Sequence, residues 1–177
     1  MTEPVAPPPD GKDWTWTLTR PCPDCGFDGP GVERADVPAL TLIHTATLGA
    51  ALAGSAATRR PSPTVWSPLE YGCHVRDVCV LFRQRLELML GHDDPEFANW
   101  DQDETALAER YWEQDPETVS WELRAAADDI ADAFAMVRPD EWTRTGRRSN
   151  GSTFTVETFA RYFLHDLAHH AWDVTGR

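Results

Sequence analysis

The stretch Trp66-Ser67-Pro68-Leu69-Glu70-Tyr71-Gly72-Cys73-His74-Val75-Arg76-Asp77 decides the fold. Ser67 suits a helix cap, Pro68 fits the first helical position, and Glu70 stands where its carboxylate can reach back to the cap. This capping box opens a helix. Val75, Val78, Phe82, Leu86 and Met89 continue it as one apolar stripe to near Gly91. Upstream, Asp36 and Pro38 open an earlier helix. Leu40, Ile43, Thr47, Leu48, Ala51 and Leu52 recur in it at helical spacing, to about Ala56. Downstream, Asp115-Pro116 opens a third long helix to about Val137, with Val119, Leu123, Ala127, Ile130, Phe134 and Val137 inward. Pro139 stops it. Thr155 caps the last helix, which runs to about Val174 with Val156, Ala160, Phe163, Leu167 and Ala171 as its strongest stripe.

Four long helices and no convincing sheet predict an all-α four-helix bundle. Between the second and third helices lie roughly 25 residues, against about 2–8 for a usual bundle loop, so a long crossover is expected there. A short helix fits Asp103 to about Tyr111, and residues 140–153 read as a Gly- and Arg-containing loop. Residues 36–177 form the bundle. Residues 1–35 form an appendage: a Pro-rich, acidic, disordered leader (1–13), then an N-terminal arm with a Cys turn. Within the arm, Trp14-Thr-Trp16-Thr-Leu18-Thr has the alternation of a short strand, or of an extended arm packing its Trp side chains on the body.

The chain has 177 residues, 41% of them hydrophobic, and eight Trp, which argues against wholesale disorder. The formal net charge of -13 disfavours nucleic acid and anionic membrane as partners. No sequence run reaches the roughly 18 apolar residues of a membrane span. The start, MTEPVAPPPDGKDW, lacks the basic and apolar regions of a signal peptide, so a cytoplasmic location is expected. There the four Cys are thiols or metal ligands rather than disulfides.

Three histidines carry the functional reading. His74 lies on the second helix. His165 and His169, one turn apart on the last, present both imidazoles to one side. With a third imidazole from a facing helix, such a pair holds a divalent ion and leaves a position open, as catalytic sites require. A bare His-x-x-x-His pair also occurs on helices that bind nothing. His165 and His169 lie off the main apolar stripe, on the side of Thr158, Tyr162 and Trp172, so they are inward only if the helix is buried on two sides. His170 is placed to pair with Asp166.

Trp66-Ser-Pro-Leu-Glu-Tyr-Gly-Cys-His74 followed by His165-x-x-x-His169 resembles the DinB superfamily, over about residues 36–174. That superfamily includes DinB-like proteins, bacillithiol S-transferases and mycothiol-dependent maleylpyruvate isomerases. The resemblance implies a DinB-like bundle with a crossover. It also implies a divalent metal, zinc or nickel, held by His74, His165 and His169. Glu70 and Asp166 would orient the imidazoles from one turn away. The implied chemistry is thiol transfer or thiol-assisted isomerisation, with a low-molecular-weight thiol such as mycothiol and an electrophile as partners. A homodimer is the candidate oligomer. The alternative is a non-catalytic metal-binding or stress-related interaction protein.

Cys22-Pro-Asp-Cys25-Gly resembles a zinc-ribbon knuckle, and gives Cys22 and Cys25 as alternative metal ligands. A redox pair and a plain thiol turn are the other readings. An intermediate reading folds the arm over the bundle and adds a thiolate to the His site. Cys73 and Cys79 read as small core residues. Arg144, Arg147 and Arg148, gathered just before the last helix, are either a carboxylate clamp for a substrate or a solvated loop.

Overall fold

The computed structural model describes residue 7 and residues 13–176. The expected disordered leader lies almost wholly outside the described residues. Five helices follow the arm: α1 (Val37–Leu52), α2 (Pro68–Gly91), α3 (Gln102–Ala108), α4 (Pro116–Ala135) and α5 (Val156–Thr175). Strands β1 (Glu96–Phe97), β2 (Thr145–Arg148) and β3 (Thr153–Thr155) form a small sheet.

The helix starts follow their caps. The Ser67 N–H and hydroxyl both donate to Glu70 Oε2, at 2.9 and 2.7 Å, and the Glu70 N–H returns to Ser67 Oγ. Asp115 Oδ1 accepts the Thr118 N–H at 2.8 Å to open α4. Thr155 and Thr158 exchange side-chain and backbone hydrogen bonds at the start of α5. All the residues expected inward on α2, α4 and α5 are buried.

In α1 the inward residues are Val37, Thr41, Thr45, Leu48 and Leu52, while Ile43 is 58% exposed. The threonines sit in the core because their hydroxyls donate to the carbonyls one turn back, Thr41 to Val37 and Thr45 to Thr41 at 2.9 Å each. A hydroxyl satisfied in this way is cheap to bury. The stretch Arg34–Leu52 also has the length and the mean hydropathy, 1.2, of a membrane span. In this fold its helix is one wall of the bundle.

Helix α4 packs against α1 and α2, and α5 packs against the same two. Thus α4 and α5 face each other across the core, where the rings of Phe134 and Phe163 lie 5.8 Å apart. Residues 92–115 make the expected crossover and carry α3.

The sheet is the element the sequence reading lacked. β1 pairs parallel with β2, and β2 pairs antiparallel with β3, so the loop expected at 140–153 contains a hairpin fastened to the crossover. The three arginines do the fastening. Arg144 donates to the Met89 carbonyl at 2.7 Å and to that of His92 at 2.5 Å, closing the C-terminal end of α2. There its charge also complements the helix dipole. Arg147 pairs with Asp94 at 3.0 Å, and Arg148 donates to Asn99 at 2.6 Å. The carboxylate-clamp reading of these residues therefore gives way to a structural one.

Between the arginines, Gly146 lies against α2. A Cβ there would stand 2.7 Å from Met89 Cγ and 3.1 Å from Phe97 Cε1. Gly146→Ala is expected to cost about 1–3 kcal/mol of stability in urea denaturation, the usual range for overpacking. An unchanged midpoint would show that Met89 gives way freely.

The arm is neither strand nor fully extended. Trp14–Leu18 forms a 3-10 turn, with Asp13 accepting the Thr15 N–H at 2.9 Å. Thr17 and Thr19 turn their hydroxyls onto the carbonyls of Trp14 and Trp16, at 2.8 Å each, which closes the turn and removes the strand alternation. The arm lies along α5. Arg34 pairs with Glu157, and Arg161 of α5 donates to the Val32 carbonyl at 3.1 Å.

Candidate metal centre

The hexapeptide His165-Asp166-Leu167-Ala168-His169-His170 carries two i, i+4 sets, one residue out of step. One residue turns a helix by about 100°, so the two sets look in different directions. His165 and His169 face the arm. Asp166 and His170 face α2 and His74.

The expected grouping of His74 with His165 and His169 is not what the structure brings together. His74, Asp166 and His170 form one cluster, with one potential ligand atom from each lying within 4.8 Å of the others. Cys22, Cys25, His165 and His169 form a second. The one-residue rotation on α5 is the reason. The arm supplies the burial on a second side that His165 and His169 required.

His74, in the second turn of α2, is fully buried. Trp100 stacks on its ring at 5.5 Å and Trp66 lies at 5.5 Å from another side. Neither ring nitrogen has a hydrogen-bond partner among the described residues. Asp166 Oδ1 is 3.4 Å from His74 Nε2, in ion-pair range but outside hydrogen-bond geometry, and likewise has no hydrogen-bond partner among them. Buried polar atoms in folded proteins are nearly always satisfied, so orphans converging from two helices mark a place for a ligand.

His170 completes the cluster. Its ring centroid is 4.7 Å from that of His74, its Nε2 is 3.6 Å from Asp166 Oδ1, and its Nδ1 is 3.0 Å from Asp173 Oδ2. A carboxylate on one ring nitrogen fixes the imidazole and leaves the other facing the cluster, as outer partners of metal-binding histidines do. Asp173 escaped the sequence reading, although its place three residues after His170 was the available signal.

Glu70 does not serve the histidines. Its carboxylate is taken by Ser67 and by Arg60, which donates from Nε to Oε2 at 2.9 Å. Asp166, expected only to orient an imidazole, stands among the potential ligands themselves.

Burial lowers the pKa of His74, and that of His165 to about 4, with His169 adding to the latter shift. These imidazoles are neutral near pH 7, the form that binds metals. Burial works against ionisation of Asp166, but the surrounding histidines bring its carboxyl down to about 2. The cluster therefore offers two imidazoles and a carboxylate, a set used for catalytic zinc and for other divalent ions with open positions.

A cleft of about 250 Å³ leads to the cluster. Trp14, Trp66, Tyr71, Asp103, Asp166 and His170 are among its lining residues. Arg144, Arg147 and Arg148 are not.

The sequence profile of the DinB superfamily matches residues 39–174. The chain belongs to the DinB superfamily. The match includes His74, Asp166 and His170 and leaves the Cys-bearing arm outside. No curated protein matches the chain. Among solved structures it is similar to YfiT from Bacillus subtilis, described as a probable metal-dependent hydrolase with an unusual four-helix bundle topology. The TM-score is 0.72 at 16% identity, over 81% of this chain and 84% of YfiT, which shows a shared DinB-type fold.

Proposed function

We propose that this DinB-like chain is a metal-dependent enzyme, with His74, Asp166 and His170 as the ligands of one divalent ion. The carrying observation is the convergence of these three groups, with Asp166 and His170 lining a cleft, His74 buried behind them and His170 braced by Asp173. The resemblance to a probable metal-dependent hydrolase supports the same reading. A divalent ion bound there would supply Lewis acidity, making a water or a thiol in its open position a nucleophile near neutral pH. The protein's own groups set the rest. Trp66 and Trp100 keep water from His74, and Asp173 fixes the His170 ring.

The cleft also constrains the substrate. Asp103, Asp173 and Gln102 offer acceptors, and none of the described lining residues is Arg or Lys. This favours a small neutral molecule bearing hydroxyl or amide donors over an anionic one. Its partner in the reaction is water, for hydrolysis, or a low-molecular-weight thiol such as mycothiol, for transfer to an electrophile.

The test reconstitutes chelator-treated protein with zinc or nickel. It then measures hydrolysis of a panel of activated esters and amides, and conjugation of thiols to electrophiles. A metal-dependent rate that disappears in His74→Ala and His170→Ala supports the assignment. Rates equal to wild type in both variants would reject it. So would full retention of metal when His74, Asp166 and His170 are all replaced by Ala in a Cys22→Ser/Cys25→Ser background.

A further inference from the structure

The second cluster lies on the neighbouring face of α5, with His165 and His169 lining the same cleft, and differs from the proposed centre in its ligand atoms. Cys22 and Cys25 flank a tight turn, in which the Cys22 N–H donates to the Phe27 carbonyl and the Gly26 N–H to the Cys22 carbonyl, each at 2.9 Å. Gly26 makes the turn possible at φ +74°, where a side chain would be strained. The turn aims both thiols at α5. One ligand atom from each of Cys22, Cys25, His165 and His169 lies within 4.8 Å of all the others. Cys22 Sγ is 3.8 Å from His169 Nδ1. A zinc tetrahedron with Zn–S near 2.3 Å and Zn–N near 2.0–2.1 Å has edges of roughly 3.3–3.8 Å.

Burial points the same way. Cys22 is 1% exposed and His165 4%. The Nε2 atom of His165 has no hydrogen-bond partner among the described residues. Trp14 lies over both imidazoles, at 5.3 and 5.2 Å, and Phe27 covers His165 at 5.9 Å. Two thiolates and two imidazoles in an apolar shell suit zinc and reject magnesium or calcium.

We propose that Cys22, Cys25, His165 and His169 bind zinc in a closed, four-ligand site that pins the N-terminal arm to α5. With four protein ligands the ion has no open position, so the site is structural. It joins residues 147 positions apart in the chain. Among the described arm residues Val32 enters the core and Leu18 and Phe27 pack against it, so the metal would add a strong fastening to a small apolar contact. The same fastening holds Trp14 in place as a wall of the cleft.

The test uses the full chain purified under reducing conditions, with metal content measured and zinc exchanged for cobalt(II). In His74→Ala/His170→Ala, one equivalent of metal and a thiolate-to-cobalt charge-transfer band are expected to remain. Adding Cys22→Ser/Cys25→Ser to that variant should remove both. Chelation of the wild-type protein, which needs no variant to fold, should make trypsin cleave first after Arg20 or Arg34, and added zinc should restore protection. The proposal is overturned if the band is absent, if the combined variant still keeps its equivalent of metal, or if chelation leaves the arm protected. A Cys22–Cys25 disulfide in the freshly reduced, zinc-supplemented protein would overturn it too. None of these readouts depends on catalytic activity at His74.

Discussion

Glu70→Ala is expected to destabilise the protein by about 3–5 kcal/mol, the range for breaking a buried ion pair by removing one partner. The Glu70 side chain is 2% exposed, and that of Arg60, its ion-pair partner, 14%. The same substitution removes the capping box at the start of α2, leaving the Ser67 N–H without its acceptor. Glu70→Gln, which keeps an acceptor without the charge, should lose less. Arg60→Ala combined with Glu70→Ala should cost less than the two single losses together, because the uncompensated partner is gone. Urea denaturation of the wild type and the four variants measures all of this. The pH dependence has a defined sign. Burial raises the Glu70 pKa, but the Arg60 and Ser67 hydrogen bonds outweigh it, and the folded-state value lies below the unfolded one. The stabilisation is therefore fully present above the unfolded value of about 4.3 and lost as pH falls through the folded one. The gap between wild type and Glu70→Ala should narrow in that acid range. A gap that stays constant through it would show that the charge contributes nothing.

Glu70 also shows what the sequence could tell. Its capping role follows from local spacing, because Ser67, Pro68 and Glu70 need only each other and one helical turn. Its pairing with Arg60 depends on how the loop folds back, which no periodicity records. The stripes of α2, α4 and α5 were legible because aliphatic and aromatic residues repeat there at helical spacing. The stripe of α1 was misread because Thr41 and Thr45 satisfy their own hydroxyls and count as core. The sheet escaped because strands this short carry no period, and β1 meets β2 across about fifty residues of chain.

The site divides in the same way. His74 stood out because it follows the Trp66-Ser67-Pro68 opening of α2, a marker read from local sequence. On α5, Asp166/His170 and His165/His169 share one spacing, and a pattern that prizes two histidines selects the second pair. Only the path of the arm assigns each pair a partner. The Cys turn was visible as a knuckle lacking two ligands, and its missing half was the histidine pair already assigned to His74.

Asp166→Asn is expected to weaken divalent-metal binding at the His74 cluster by at least about 100-fold. That is the upper end of the loss seen when only an outer partner of a metal ligand is removed. The substitution changes little volume but deletes the only carboxylate in the cluster. The metal-free protein should respond differently. Burial opposes the charge on Asp166, but His74 and its neighbouring histidines outweigh burial and bring the carboxyl down to about 2. Removing that charge should cost the metal-free protein only about 1–3 kcal/mol, since the histidines favour the ionised form in the fold. Calorimetric metal titration and urea denaturation, both run in the Cys22→Ser/Cys25→Ser background, separate the two effects. A loss of affinity well beyond that modest loss of stability identifies Asp166 as a ligand and not only an ion-pair partner of the histidines. If stability falls by several kcal/mol while affinity is unchanged, Asp166 is instead a structural partner of His74 and His170. The two histidines would then lack the anionic ligand that completes the set.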